Sequence, residues 1–151
     1  MSPPLFTIGY EHTTPPAFLD ELARVQIGLV VDVRAVAASR RPGFSKRQLA
    51  AALDERGIVY LHLRALGTPK EGRLAARSGD FSALFRIYES HLATPGAREE
   101  LDALAELVRS GRRLCLLCYE RDPCHCHRQR VATLMAERTG VAIENLFAAP
   151  F

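Results

Sequence analysis

The sequence has no long apolar run, no low-complexity tract and no internal repeat, and these absences exclude several classes of protein. No stretch reaches the roughly 18 apolar residues of a membrane-spanning helix. The opening residues, MSPPLFTIGY, lack the basic region and apolar core of a secretory signal. No composition shift resembles a linker. We therefore expect one domain over residues 1–151, with no association with a membrane.

The first 114 residues contain no cysteine, and all four cysteines lie within residues 115–126. The four cysteines are Cys115, Cys118, Cys124 and Cys126. A disulfide framework would spread them along the sequence, so the clustering favours a reducing, cytoplasmic setting.

Basic residues outnumber acidic residues only slightly, 20 to 17. The formal net charge is +3, and only two of the basic residues are lysines. Such a mildly basic chain permits an anionic partner without requiring one. It lacks the basic strip interleaved with aromatic residues on which bases stack, so nucleic acid is a possible but not a favoured partner. The composition does not indicate an oligomeric state.

Short apolar runs alternate with amphipathic segments along the chain. The runs read as strands are Leu5–Ile8, Gly28–Val33, Ile58–Leu63, Leu114–Cys118 and, more weakly, Ile143–Phe147. Helix starts are predicted at Thr14–Pro15, the capping box Ser45–Gln48, Asp80, Thr94–Pro95 and near His127. The pattern predicts an α/β fold: a mostly parallel sheet of about five strands with helices on both faces, in a Rossmann-like three-layer arrangement.

The residues with distinctive chemistry follow the predicted strands. In open parallel sheets, ligands bind outside the carboxyl ends of the strands, where the strand order reverses. We therefore predict a pocket at that edge, with Leu66–Arg73 as one of its loops. Its expected residues are Tyr10, Asp32, Arg34, Ser39, Arg40, Phe44, Cys118, Glu120, Cys126, His127 and Arg128.

This set favours a small anionic or nucleotide-like ligand, and we predict no cofactor. Arg34 and Arg128 would hold the anion, helped by the free N–H groups of a helix that begins near His127. Glu120 or Asp32 would act as acid or base, and Cys118 would shape the site or attack the substrate. The structural alternatives are ion pairs, between Asp32 and Arg34 and between Glu120 and Arg128 or Arg40.

A metal or redox site is a separate hypothesis. Cys118, Cys124, Cys126 and His127 form a zinc-compatible set of donors. Their spacing is C-x5-C-x-C-H, without paired C-x2-C knuckles, and adjacent residues rarely chelate one tetrahedral ion comfortably. We therefore treat this site as an alternative and predict no metal in the primary interpretation.

Several motifs occur in an order that resembles the family catalogued as domain of unknown function 488. They are T-I-G-Y (Thr7–Tyr10), D-V-R (Asp32–Arg34), S-R-x-P-x-F-S (Ser39–Ser45), I-x-Y with L-G (Ile58 to Gly67) and C-x-E-x-x-P-x-x-C-H-R (Cys118 to Arg128). Cys124 and His125 occupy positions that the pattern leaves free. Ala37 stands where the family has proline in D-V-R-x-x-P, so the local backbone is expected to differ.

The resemblance itself implies no activity. The hypotheses are therefore a hydrolase or transferase acting on a phosphorylated or nucleotide-like substrate, a non-catalytic module that binds a nucleotide or nucleic acid, and a zinc or redox protein.

Overall fold

A computed structural model describes residues 2–151, and within this range the chain forms five strands and six α-helices. In chain order they are β1 (Leu5–Gly9), α1 (Pro15–Arg24), β2 (Leu29–Asp32), α2 (Lys46–Glu55), β3 (Val59–His62), α3 (Lys70–Arg77), α4 (Phe81–Leu92), α5 (Pro95–Arg109), β4 (Leu114–Cys118), α6 (His127–Thr139) and β5 (Ile143–Leu146). Single 3₁₀ turns occupy Arg64–Leu66 and Pro123–His125. None of the helices in the described range is long and apolar enough to cross a membrane.

The sheet is parallel throughout, with the strand order β3-β2-β4-β1-β5. Helices cover both faces. Phe18 of α1 and Leu53 of α2 belong to the core on one face. Leu104 of α5 and Met135 of α6 belong to the core on the other. The α/β fold with helices on both sides is therefore confirmed.

Burial explains why the central strands are apolar at nearly every position. All residues of β2 and β4 are buried, as expected for parallel strands covered on both faces. β3 lies at the edge of the sheet, and its Val59 is half exposed.

Several predicted boundaries shift, and one helix was missed. β1 extends by one residue to Gly9, whereas β2, β3 and β5 are shorter than their apolar runs. The first half of α3 lies in the segment 66–73, for which no helix was predicted. This helix is only eight residues long, is rich in charge and contains Gly72, so its helical signal in the sequence is weak.

The capping box at Ser45–Gln48 correctly predicted where α2 begins, but the side-chain hydrogen bonds of a capping box are not formed. Ser45 is the N-cap of α2, but its hydroxyl makes no bond to the helix. It accepts the Ser39 N–H at 3.0 Å and donates to the Ser39 carbonyl at 3.2 Å. Gln48 instead accepts the Gly43 N–H. The polar side chains therefore brace the preceding loop.

The helices that follow the neighbouring strands β1 and β4 leave the sheet on opposite faces, and the carboxyl end of β4 lies at this switch point. The helix after β1 packs on one face, whereas the helix after β4 packs on the other, although the two strands are neighbours. Such a divergence leaves a crevice above the strand ends, and Cys118 is the last residue of β4.

Two glycines allow backbone segments to approach closely beside this crevice. A Cβ on Gly9 would lie 1.8 Å from the carbonyl oxygen of Glu120, and one on Gly67 would lie 2.1 Å from the amide nitrogen of Ala35. Neither contact is possible for a residue with a side chain, so these positions require glycine for lack of space.

The Gly9→Ala substitution is expected to destabilise the fold by about 1–3 kcal/mol or more, because the loop at Glu120 must move away. Gly28→Ala is the matched control, since a Cβ there meets its nearest atom, the Arg113 carbonyl oxygen, at 3.9 Å. Urea unfolding of both variants measures the difference. Equal free energies of unfolding would contradict the close-approach argument.

Candidate functional site

A cavity of about 400 Å³ opens at the carboxyl edge of the sheet. Residues from the ends of β1, β2 and β4 and from α3 surround it, together with the 3₁₀ turn before α6. Its volume is typical of a small-molecule pocket. Its polar lining comprises Tyr10, Arg34, Thr68, Arg73, Arg77, Cys118, Tyr119, Glu120, His125 and His127.

Arg34 reaches this cavity from a buried ion pair. Its Nε donates to Asp32 Oδ1 at 2.9 Å, and its Nη2 donates to Asp32 Oδ2 at 2.7 Å. Tyr60 also donates to Oδ2, at 2.6 Å. Burial alone would lower the pKa of Arg34, but the hydrogen bonds and charge of Asp32 raise it overall. Asp32 is fully buried and does not line the cavity, so it orients Arg34.

Aromatic rings support the same arginine. Its Nη1 donates to the hydroxyl of Tyr10 at 3.2 Å and to the carbonyl oxygen of Phe44 at 2.7 Å. The Tyr10 and Phe44 rings stack at a centroid distance of 4.5 Å. Phe44 thus lies behind Tyr10, whereas the partly exposed Tyr119 meets the Tyr10 ring edge-on and lines the cavity.

The helix α3 adds positive charge. Arg73 and Arg77 are four residues apart, so they lie on one face of the helix, and both line the cavity. Arg73 donates to the Thr68 carbonyl at 3.2 Å. His125 approaches from another side and stacks on Phe81 at 4.7 Å.

Glu120 provides the only carboxylate among the cavity residues of the described chain. Burial raises the pKa of this carboxyl, although its own backbone and Arg128 partly oppose the effect. Its Oε2 lies 3.6 Å from the sulfur of Cys118. A carboxyl group with a raised pKa beside a cavity is suited to proton transfer.

Cys118, Cys126 and His127 form a buried cluster at the base of the cavity. The sulfurs of Cys118 and Cys126 are 2.07 Å apart, as in a disulfide, with the Cα atoms 7.4 Å apart. The Nε2 of His127 lies 2.6 Å from the Val33 carbonyl oxygen, and its Nδ1 lies 3.8 Å from Cys126 Sγ. Burial lowers the pKa of His127 to about 4, so the ring is neutral near neutral pH. Nε2 carries the proton, because only a donor can bond to a carbonyl.

Arg128 is fully buried and does not line the cavity. Its Nη1 contacts Cys118 Sγ at 3.0 Å and the Glu120 carbonyl, and its Nη2 donates to the Arg121 carbonyl at 3.3 Å. Burial lowers its pKa to about 10. Arg128 thus ties α6 to the loop after β4, and its role in holding a ligand anion stays a prediction.

Comparison with known proteins identifies the family. A family model described as Domain of unknown function DUF488 matches residues 14–135. The chain belongs to the DUF488 family. No curated protein and no solved structure matches it.

The other predicted site residues of this DUF488 chain lie outside the cavity. Arg40 is exposed in the loop before α2, and Ser39 is engaged with Ser45 in the same loop. Cys124 is an exposed free thiol, away from the buried cluster. Cys126 belongs to that cluster but is screened from the cavity.

Sequence reasoning missed the contribution of α3. The segment considered after the third strand ended at Arg73 and no helix was predicted in it, so Arg73 and Arg77 were not considered together. Their spacing of four residues was the available signal, because it places two arginines on one face of any helix that forms there. Tyr119 was also missed, since an exposed tyrosine after a strand has no distinctive pattern.

Arg34→Met is expected to destabilise this DUF488 domain by about 3–5 kcal/mol, because Asp32 would remain buried without its partner. The matched control is Arg24→Met, which removes an exposed, solvent-screened ion pair with Glu21 and should cost far less. Chemical unfolding of both variants gives the comparison. A cost for Arg34→Met no larger than that of the control would refute the buried-pair assignment.

Proposed function

We propose that the cavity binds a small ligand bearing a phosphate or carboxylate group, and that the protein is a hydrolase or transferase acting on it. The observation that supports this proposal is the charge around the cavity. Arg34, Arg73 and Arg77 approach it from two elements, and Glu120 is the only opposing carboxylate among the described lining residues.

The arginines differ in how freely they can bind an anion. Arg34 is held in place by Asp32, so its position is fixed before a ligand arrives. Arg77 is exposed, and Arg73 is half-buried with one guanidinium contact to a backbone carbonyl. Arg73 and Arg77 therefore retain donors for a planar or tetrahedral anion, which arginine recognises with paired N–H groups.

The aromatic rim favours a ligand with a flat ring. Tyr119 presents a partly exposed ring beside the cavity, and the cavity volume of about 400 Å³ matches a nucleotide-sized molecule better than a polymer. We therefore favour a nucleotide-like or similarly phosphorylated small molecule over nucleic acid.

Glu120 is our candidate for the acid or base. It lines the cavity, whereas Asp32 is fully buried and accepts hydrogen bonds from both Arg34 and Tyr60. The raised pKa of Glu120 allows its carboxyl to hold or accept a proton closer to neutral pH than an exposed carboxylate would.

Binding can be tested by thermal unfolding with inorganic phosphate, nucleoside monophosphates and sugar phosphates. We expect stabilisation of the wild type and its loss in Arg73→Ala/Arg77→Ala, because the free guanidinium groups at the cavity are removed. Arg112→Ala is the matched control, since Arg112 is exposed at the opposite edge of the sheet, before β4. No stabilisation by any of these anions, or equal stabilisation of both variants, would refute the proposal.

Turnover separates an enzyme from a binding module. With a ligand identified by stabilisation, we expect product formation that falls about 10²–10⁴-fold in Glu120→Gln, while the stabilisation by ligand is retained. Product analysis by chromatography measures the change. Binding without turnover in the wild type would instead support the non-catalytic alternative, and turnover unaffected by Glu120→Gln would exclude this residue as the acid or base.

A further inference from the structure

We propose that Cys118, Cys126 and His127 bind a zinc-class divalent metal ion when the two cysteines are reduced. One ligand atom from each residue, two sulfurs and an imidazole nitrogen, lies within 4.8 Å of the others, and all three residues are buried. The inference goes beyond the proposed function, because the cluster includes none of the arginines that line the cavity and needs no anion to form.

The backbone explains how two adjacent residues can share one ion. Cys126 is the N-cap of α6 and has extended backbone angles, φ −129° and ψ 141°, whereas His127 is the first helical residue. This change of conformation directs the two side chains towards the same point. Cys118 reaches that point from the end of β4. The objection that neighbours in sequence rarely chelate together therefore does not apply at this helix start.

His127 is oriented as a metal ligand. Its Nε2–H donates to the Val33 carbonyl at 2.6 Å, which leaves the Nδ1 lone pair facing the sulfur of Cys126. Metal-binding histidines generally donate their other ring N–H to a carbonyl or carboxylate in this way, which fixes both the tautomer and the ring plane.

The charge on Arg128 favours a reduced, anionic Cys118. Among the described residues, no carboxylate lies within 4.0 Å of this fully buried guanidinium, whereas Cys118 Sγ lies 3.0 Å from Nη1. Glu120 and Asp122 act on this charge only from a greater distance, and a buried cation without a close counter-charge is costly. A thiolate at Cys118 supplies that charge, but a disulfide sulfur does not.

Two buried thiolates in one cluster would in turn require a cation to balance their charge. The Cα atoms of Cys118 and Cys126 are 7.4 Å apart, beyond the roughly 4.4–6.8 Å of most disulfides. Metal-bound thiolates need not meet this restriction, because on reduction the two sulfurs separate from their 2.07 Å contact and each binds the ion. The backbone separation and the buried arginine therefore both favour metal-bound thiolates.

The donor set selects the class of metal. Two thiolates and an imidazole suit zinc and related ions, whereas magnesium and calcium prefer oxygen ligands. Three protein ligands leave the fourth position of a tetrahedral ion vacant. Because Cys118 and His127 line the cavity and Cys126 does not, we expect that position to face the cavity. Two cysteines and one histidine also form the ligand set of one group of catalytic zinc sites.

Cobalt binding provides a test that does not depend on activity. The full chain, reduced with a phosphine and free of metal, is titrated anaerobically with Co²⁺, without any anionic ligand. We expect one ion per chain and a thiolate-to-cobalt charge-transfer band in the near ultraviolet. Cys118→Ser and Cys126→Ser should weaken binding by more than the roughly 10–100-fold effect of losing an outer-shell partner.

Cys124→Ser is the matched control, because Cys124 is an exposed thiol in the same segment and should leave the band unchanged. A reduced wild type without the band would overturn the proposal, as would a band that survives loss of both Cys118 and Cys126.

If the serine variants do not fold, the wild type still decides the question. Zinc should protect Cys118 and Cys126 from alkylation, as mapped by mass spectrometry, while Cys124 remains reactive. Because both cysteines are buried, the reaction is followed until the metal-free protein is alkylated at Cys118 and Cys126; the same rate of alkylation with zinc would overturn the assignment.

Discussion

The buried guanidinium of Arg128 joins the elements on which the rest of the site depends. It contacts the sulfur of Cys118 at the end of β4 and the carbonyls of Glu120 and Arg121 in the following loop, while its own backbone lies in α6. The strand, loop and helix are therefore held in one arrangement. Gly9 contributes to the same arrangement, because only a residue without Cβ lets β1 lie against the Glu120 carbonyl.

The charge of a second buried arginine is balanced in a different way. Arg34 is neutralised by Asp32, with Tyr60 completing the hydrogen bonds of that carboxylate. Arg128 has no carboxylate partner within 4.0 Å in the described chain; Glu120 and Asp122 act on it from a greater distance, and the sulfur of Cys118 lies 3.0 Å from its Nη1. Arg34 is therefore paired directly with a carboxylate, whereas Arg128 is held by two backbone carbonyls and a sulfur.

These two arginines give physical roles to motifs by which the chain resembles its family. The D-V-R motif contains the buried pair Asp32 and Arg34. The C-x-E-x-x-P-x-x-C-H-R motif contains Cys118, Glu120 and Arg128. Cys124 and His125, which the pattern leaves free, are both exposed. The motif residues thus build the base of the cavity, while the cavity wall also uses residues outside the motifs, such as Arg73 and Arg77.

The sequence by itself determined the α/β fold, because strands buried on both faces must be continuous apolar runs and helices between them must show amphipathic spacing. It also predicted the edge of the sheet at which the cavity lies, because parallel strands bring all their carboxyl ends together. Tertiary structure alone decided which side chains meet there. Arg128 is directed into the core, Asp32 is occupied by Arg34, and α3 brings Arg73 and Arg77 to the cavity. The spacing of a motif shows only which residues are close along the chain. The direction of each side chain depends on packing between elements that are distant in sequence.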